Sequence, residues 1–111
     1  MENRIKKIIE VLDDKKALEI DTFDLSGKGY IVDKVVLATS LNSKHTTALV
    51  AILKDELELN GEKILRTQED SDWSVIDLGD IMIHVMQKSQ REIYNLEDFL
   101  GNFEVNDKLE W

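Results

Sequence analysis

The feature that most constrains the fold is a pair of apolar runs that meet at a glycine, within residues 72–86. Both runs are rich in Val, Ile and Met, and Gly79-Asp80 stands between them. A glycine at the first central position of a two-residue loop suits a hairpin turn whose twist matches the flanking strands. The sequence therefore predicts a β-hairpin with Gly79-Asp80 as its loop.

This loop determines which side chains of the hairpin share a face, because cross-strand partners project the same way. One face is mostly apolar and is predicted to be the core; it carries Ser74, Ile76, Leu78, Ile81, Ile83 and Val85. The other face is mixed and carries Trp73, Val75, Asp77, Met82, His84 and Met86. Trp and Met are common at protein interfaces, so the mixed face is either a docking surface or a second core layer under helices.

The rest of the chain alternates between strand and helix patterns. We expect a helix over residues 4–15, strands over 17–24 and 31–39, a helix from the cap Ser43 to Asn60, and a strand over 63–68. The segment from 31 to 68 is typical of a crossover that joins parallel neighbouring strands. After the hairpin, a capping box at Ser89–Glu92 predicts a last helix, with Ile93, Leu96 and Leu100 inward and its end at Gly101.

Length and charge limit the class of protein. A chain of 111 residues with 42% hydrophobic content predicts one α/β domain, over residues 1–101, with an acidic tail over 102–111 that is loosely docked or disordered. The chain has no cysteine, no apolar run long enough to span a bilayer and no signal peptide, which favours the cytoplasm. A formal charge of -9 disfavours DNA, RNA phosphates and anionic membranes, and favours a basic protein as the partner.

Few residues suggest catalysis. A metal site would combine His84 with Asp77 and Asp80, which is an incomplete ligand set, and no nucleophile stands in a recognisable motif. The glycine pair Gly27 and Gly29 lacks the features of a phosphate loop and predicts a turn. We therefore predict no catalytic, cofactor or metal residue; the alternative is a relic nucleotidyltransferase or metal-dependent hydrolase that uses Asp77, Asp80 and His84.

Taken together, these residues resemble a known family. The pattern consists of Asp72-Trp73, Val75, Asp77–Asp80, Ile83–Met86, Arg91, Tyr94 and Leu96-Glu97, with Asp21, Asp33, Thr39 and Ser43–His45 upstream. In order and spacing it is similar to the Iojap-like ribosomal silencing factors over residues 5–100. One departure is Phe99-Leu100, where the family commonly has Leu-Trp; Phe103 or Trp111 could take the place of that Trp.

The resemblance implies a fold, a partner and a mechanism. The fold would be an αββαβββα domain with a mixed five-stranded sheet flanked by helices and a nucleotidyltransferase-like topology, without that activity or a cofactor. Members bind the large ribosomal subunit at ribosomal protein L fourteen and block joining of the small subunit, which represses translation. Some assist late assembly of the large subunit, and members form homodimers.

Pattern and resemblance together predict a partner-binding surface on the mixed face and the adjoining helix. Its predicted residues are Trp73, Asp77, Leu78, Gly79, Asp80, Met82, His84, Arg91 and Tyr94. Acids such as Asp77 and Asp80 would pair with Lys and Arg of the partner. As alternatives, Arg91 pairs within the chain with Asp72 or Glu97, and Tyr94 belongs to the core with its hydroxyl at the rim.

Overall fold

The structure is a computed structural model that describes residues 2–105, and the side chains of residues 2–103. The predicted tail therefore lies largely outside the described residues, Trp111 included. In chain order the elements are α1 (Glu2–Asp14), β1 (Leu18–Asp24), β2 (Lys34–Ser40), α2 (Ser43–Leu59), β3 (Arg66–Gln68), β4 (Trp73–Asp77), β5 (Ile81–Gln87), α3 (Lys88–Tyr94) and α4 (Leu96–Val105). They form the predicted α/β domain with a mixed five-stranded sheet. Among residues 2–105, no helix is long and apolar enough to cross a membrane.

The strand order differs from the predicted crossover in one respect. The sheet runs β1-β2-β5-β4-β3, with only β2 and β5 paired in parallel. The chain leaves β2 through α2 and enters β3 at the far edge, where β3 pairs antiparallel with β4. The prediction that the crossover joins neighbouring strands is therefore wrong, because both hairpin strands lie between β2 and β3.

The hairpin itself has the predicted register. Trp73 lies opposite Met86, Ile76 opposite Ile83, and the N–H of Leu78 donates to the carbonyl of Ile81 over 2.9 Å. Gly79 has φ +97°, a left-handed backbone conformation that side chains other than glycine rarely adopt. The turn thus requires the glycine from which the prediction started.

The first face of the sheet packs against α1 and α2, as predicted for the core. The side chains of this cluster that come from the sheet include Val36, Ala38, Ile76, Ile81, Ile83 and Val85, and the helices contribute Ile8, Leu12, Leu49, Val50 and Leu53. The predicted core face of the hairpin is confirmed, since all of its members are buried, including Ser74. Burial of this face specifies the register of the strands, because a shift by one residue would expose its apolar side chains.

The second face is covered over one half only. Leu100 of α4 joins Leu25, Val35, Leu37 and Met82 in a second buried cluster, and Met86 is fully buried. Over this half the second-core-layer alternative is correct. Towards β4 and β3 the same face opens, and Trp73 and Val75 are only partly buried.

Two predicted caps are wrong. The N-cap of α2 is Asn42, whose Oδ1 accepts the N–H of His45 over 2.8 Å, and Ser43 is the first helical residue. The capping box does not form: α3 begins at Lys88, after Gln87, without a side-chain cap. Ser89 is thus already inside the helix and cannot cap it.

The last helix is also broken where the sequence predicted continuity. Asn95 adopts the left-handed conformation, with φ +49°, and separates α3 from α4. Leu100 is buried as predicted, whereas Ile93 is 69% exposed and does not face inward. Gly101 lies within α4, which continues to Val105, so the expected domain boundary falls inside a helix.

Candidate protein-docking surface

Three aromatic rings meet at the open half of the second face. Trp73 of β4 lies between His84 of β5 and Tyr94 at the end of α3, with ring centroids 5.9 and 5.0 Å away. Tyr94 is 55% exposed, so the alternative that it belongs to the core is wrong. The fold thus exposes a Tyr–Trp pair, with ring planes tilted by 50°, where β4 meets the end of α3. Such aromatic pairs are typical of binding hot spots.

The imidazole of His84 is buried under this pair. The indole Nε1–H of Trp73 donates to Nδ1 of His84 over 3.0 Å. Burial lowers the pKa of His84 to about 4, because the charged form loses hydration there. At neutral pH this ring is therefore uncharged, and Nδ1 acts as an acceptor.

Two adjoining grooves flank Val75. The first has a volume of about 490 Å³ and is lined by Arg66, Thr67, Gln68, Val75, Asp77, Met82 and His84. The second has a volume of about 390 Å³ and is lined by Gln68, Asp70, Asp72, Trp73, Val75 and Gln90. We call the surface formed by Arg66, Gln68, Asp70, Asp72, Trp73, Val75, His84 and Tyr94 the open face.

The carboxylate of Asp77 is used within the hairpin. Its Oδ1 accepts the N–H of Gly79 over 2.8 Å, which closes the turn, and its Oδ2 accepts Nε–H of Arg66 over 3.0 Å. The side chain is buried at the floor of the first groove. Asp77 therefore stabilises the turn, and its carboxylate is paired within the chain and not free.

Asp80 is held by a residue of α1. Its two oxygens accept from Arg4 over 2.6 and 2.9 Å, which keeps the pKa of Asp80 below its usual range. Arg4 also donates to Glu62, over 2.8 and 2.9 Å. Asp80 therefore belongs to the α1 side of the sheet, and it too is paired within the chain.

This arrangement bears on the alternative of an enzyme. The three residues proposed for it do not converge, because Asp77 and His84 line the first groove and Asp80 bonds to Arg4. Within residues 2–105 no group of three or more His, Asp or Glu is placed to hold a metal ion.

Arg91 is a structural ion-pair centre. It is only 5% exposed, and its guanidinium donates to Asp21 over 2.9 Å, to Glu97 over 2.7 Å and to Oγ1 of Thr39 over 3.1 Å. It also donates to the carbonyl of Glu19. The alternative of pairing with Glu97 is confirmed. Its other suggested partner, Asp72, accepts instead from the side-chain amide of Gln87.

The structure thus brings together part of the predicted site. Trp73, His84 and Tyr94 converge, and Asp77 and Met82 lie at the floor of the first groove. The remaining predicted residues lie in the turn or inside the fold: Leu78, Gly79, Asp80 and Arg91. The sequence analysis missed Arg66, Gln68, Asp70 and Asp72 as members of the open face. Pairing of β3 with β4 was the missing information, because it places Arg66 beside Asp77 and Gln68 beside Val75.

Comparison with known proteins places the chain in a family. The profile described as "Ribosomal silencing factor during starvation" matches residues 1–110. The chain is 34% identical to ribosomal silencing factor RsfS of Zymomonas mobilis, over 94% of this chain and 80% of that protein. It is 30% identical to the factor of the same name from Bacillus subtilis, over 86% and 82%.

A solved structure agrees with these matches. The crystal structure of a Chromobacterium violaceum protein superposes with a TM-score of 0.85 at 27% identity, and covers 90% of this chain and 85% of that one. The profile covers nearly the whole chain, and the sequence matches cover most of both partners. The chain belongs to the ribosomal silencing factor family.

Proposed function

We propose that this chain binds the large ribosomal subunit through ribosomal protein L fourteen and thereby blocks joining of the small subunit. The proposal that the chain silences ribosomes rests on the family, whose members are named for that action. Silencing by this route needs no chemistry, because two partners that overlap on one surface cannot be bound at once. The chain would act in the cytoplasm, as a repressor of translation without catalytic activity, and as a homodimer when free.

The observation that carries the proposal is the exposed Tyr94–Trp73 pair beside the grooves of the open face. Aromatic side chains that are already ordered lose little conformational entropy on binding. The rim near Trp73 is acidic, with Asp70 and Asp72 exposed, which suits a basic protein and repels RNA phosphates. A ribosomal protein is therefore a better anchor than ribosomal RNA.

The first experiment is co-sedimentation with purified large ribosomal subunits. Tyr94→Ala and Trp73→Ala are each expected to weaken binding about 30-fold, since truncation of a hot-spot aromatic costs about 2 kcal/mol. Ile93→Ala is the matched control, because Ile93 is on the same helix as Tyr94 and 69% exposed but is not part of the open face. If both aromatic variants sediment like the wild type, the open face is not the contact.

A second assay tests the mechanism of silencing. Light scattering of mixed large and small subunits measures subunit joining directly. The wild type is expected to inhibit joining, with Tyr94→Ala shifted to about 30-fold higher concentration and Ile93→Ala unchanged. Binding without inhibition of joining would contradict steric exclusion. A rise in the melting temperature with magnesium and a nucleoside triphosphate would instead favour the nucleotidyltransferase alternative.

A further inference from the structure

One polar atom of the open face has no partner within the described chain. Because Nδ1 of His84 accepts the indole N–H of Trp73, the neutral ring carries its proton on Nε2. Among residues 2–103, no residue accepts a hydrogen bond from that Nε2. The side chain is only 9% exposed and lines the first groove. Since every fully buried side-chain N or O atom of residues 2–103 has a partner, this Nε2 keeps some contact with solvent, and the groove is where the ring meets it.

A donor in this position is expected to be used. Polar groups that are largely buried are nearly always hydrogen-bonded, and a donor that has no acceptor in an interface weakens binding. A partner that fills the groove removes its water, so it must supply an acceptor in return. The ring is fixed at one nitrogen by Trp73 and by packing on the sheet, so the donor is pre-oriented.

The lining of the groove selects the kind of acceptor. Its floor includes the apolar Val75 and Met82, while Arg66 and Gln68 stand at its β3 edge. The one carboxylate that lines it, Asp77, already accepts from Arg66 and from the turn. The groove therefore offers donors and apolar surface, which suits a peptide carbonyl next to a small aliphatic side chain.

An anionic ligand fits less well. Two acids, Asp70 and Asp72, line the adjoining groove, and the chain carries a formal charge of -9. Arg66 is the one cation that lines the first groove, and its charge is offset by Asp77. A neutral acceptor suits the donors of the groove, and a basic protein that carries it suits the acidic rim.

We propose that the Nε2–H of His84 donates a hydrogen bond to a main-chain carbonyl oxygen of the protein that docks on the open face. This inference rests on the proposed function and deepens it, since it names the group that the partner presents. Tyr94 and Trp73 would supply contact area, whereas His84 would determine the register of the partner segment along the groove.

Two substitutions separate the donor from the rest of the ring. Asn in place of His84 keeps a polar atom near the Nδ1 position, where it can accept from Trp73, but has nothing at the Nε2 position. Gln reaches the Nε2 position with its amide and keeps a donor there. His84→Asn is expected to bind about tenfold more weakly than the wild type, and His84→Gln within about twofold.

Binding is measured to purified large ribosomal subunits and to purified ribosomal protein L fourteen. The chain has only two histidines, so ¹⁵N-histidine labelling gives a simple spectrum. His45 is the internal reference, because its Nδ1 accepts the N–H of Leu41 and its Nε2 bonds to the carbonyl of Lys15. Addition of L fourteen is expected to shift and protect the Nε2–H signal of His84 and to leave that of His45 unchanged.

The outcomes separate this inference from the proposed function. If the wild type binds and both variants bind as tightly as the wild type, the hydrogen bond is refuted and the docking proposal stands. The same holds if the wild type binds but its His84 signal does not change. If both variants bind more weakly than the wild type by the same factor, the ring matters only for packing and the inference also fails. If the wild type binds neither probe, the proposed function fails and this inference fails with it. An unchanged His45 signal verifies that each variant is folded.

Discussion

Removal of the guanidinium of Arg91 should destabilise the fold more than any single exposed ion pair could. Arg91 extends from α3 and ties that helix to β1 through Asp21 and the Glu19 carbonyl, to β2 through Thr39, and to α4 through Glu97. Met in its place preserves the length of the aliphatic stem but removes every one of these bonds. The perturbation is therefore confined to the ionic cluster.

The size of the effect follows from the burial of the partners. The side chains of Asp21 and Glu97 are 53% and 36% exposed, so on loss of Arg91 both carboxylates regain water and account for little. The hydroxyl of Thr39 loses a donor in a buried place, which costs about 1–3 kcal/mol. The carbonyl of Glu19 loses a donor in a partly buried place, which costs about 1 kcal/mol. We expect a total loss of about 3 kcal/mol, and a melting temperature lower by about 12 °C for a chain of this length.

The assay is equilibrium unfolding in urea, followed by far-ultraviolet circular dichroism. Asp21→Asn is the matched control, because it removes one exposed charge of the same cluster and retains an acceptor oxygen; we expect a loss below about 1 kcal/mol. Tyr94 lies about one turn after Arg91 and contacts the ring of Trp73, so near-ultraviolet spectra should change in the Met variant only. A loss for Arg91→Met no larger than that for Asp21→Asn would refute the assignment of Arg91 as a structural ion-pair centre.

The remaining predictions concern the hairpin turn and α4. Gly79→Ala should lose about 1–2 kcal/mol in urea unfolding, because φ is +97° and the new Cβ would lie 2.9 Å from Cδ1 of Leu65. Gly101→Ala, with open space in the middle of α4, should instead gain up to about 1 kcal/mol; effects of the same sign would contradict this. Asp80→Asn should lose less than about 1 kcal/mol at pH 7, since its ion pair with Arg4 is partly exposed. Arg4 lowers the pKa of Asp80, so this stabilisation is present above the unfolded-state pKa of about 3.9 and is lost as pH falls through the lower folded value. Melting curves should show a difference between wild type and Asp80→Asn at pH 7 that narrows as the pH falls below about 3.9, and a difference that does not depend on pH would contradict this.

The hairpin could be predicted residue by residue because its determinants are local. A shift of one residue in the register of the two strands would turn Ile76 and Ile83 out of the core. Gly79 has the backbone conformation that the turn requires. The same locality explains why the buried first face was identified correctly. No contact beyond residues 72–86 was needed for either conclusion.

The order of strands could not be predicted in this way. A crossover through α2 specifies that β3 runs in the same direction as β2, and the sheet agrees, since β5 is parallel to β2 and antiparallel to β4, which is antiparallel to β3. Which strands lie between them depends on long-range packing that a single sequence pattern does not encode. Because the sequence predicted β3 beside β2, β3 was not recognised as one edge of the open face.

The roles of the charged residues were missed for the same reason. The pattern identified Asp77, Asp80 and Arg91 as notable, but it did not show that they pair with Arg66, Arg4 and Asp21, which lie 11, 76 and 70 residues away in sequence. Three residues chosen as contacts proved to hold the fold together. Charges that recur in a family pattern therefore mark ion pairs within a domain as readily as they mark binding sites.

The pairing of these charges within the chain changes how charge would act in docking. Asp77 and Asp80 are already neutralised by arginines of the chain, so they add little to the attraction of a basic partner at short range. The net charge of -9 still creates a long-range field, and Asp70 and Asp72 bring part of it to the rim beside Trp73. Such a field raises the rate of association and is screened by salt, whereas the rate of dissociation depends on the desolvated contacts. In the proposed complex those contacts would be made by Tyr94, Trp73 and the first groove, and the lifetime of the complex should depend on them.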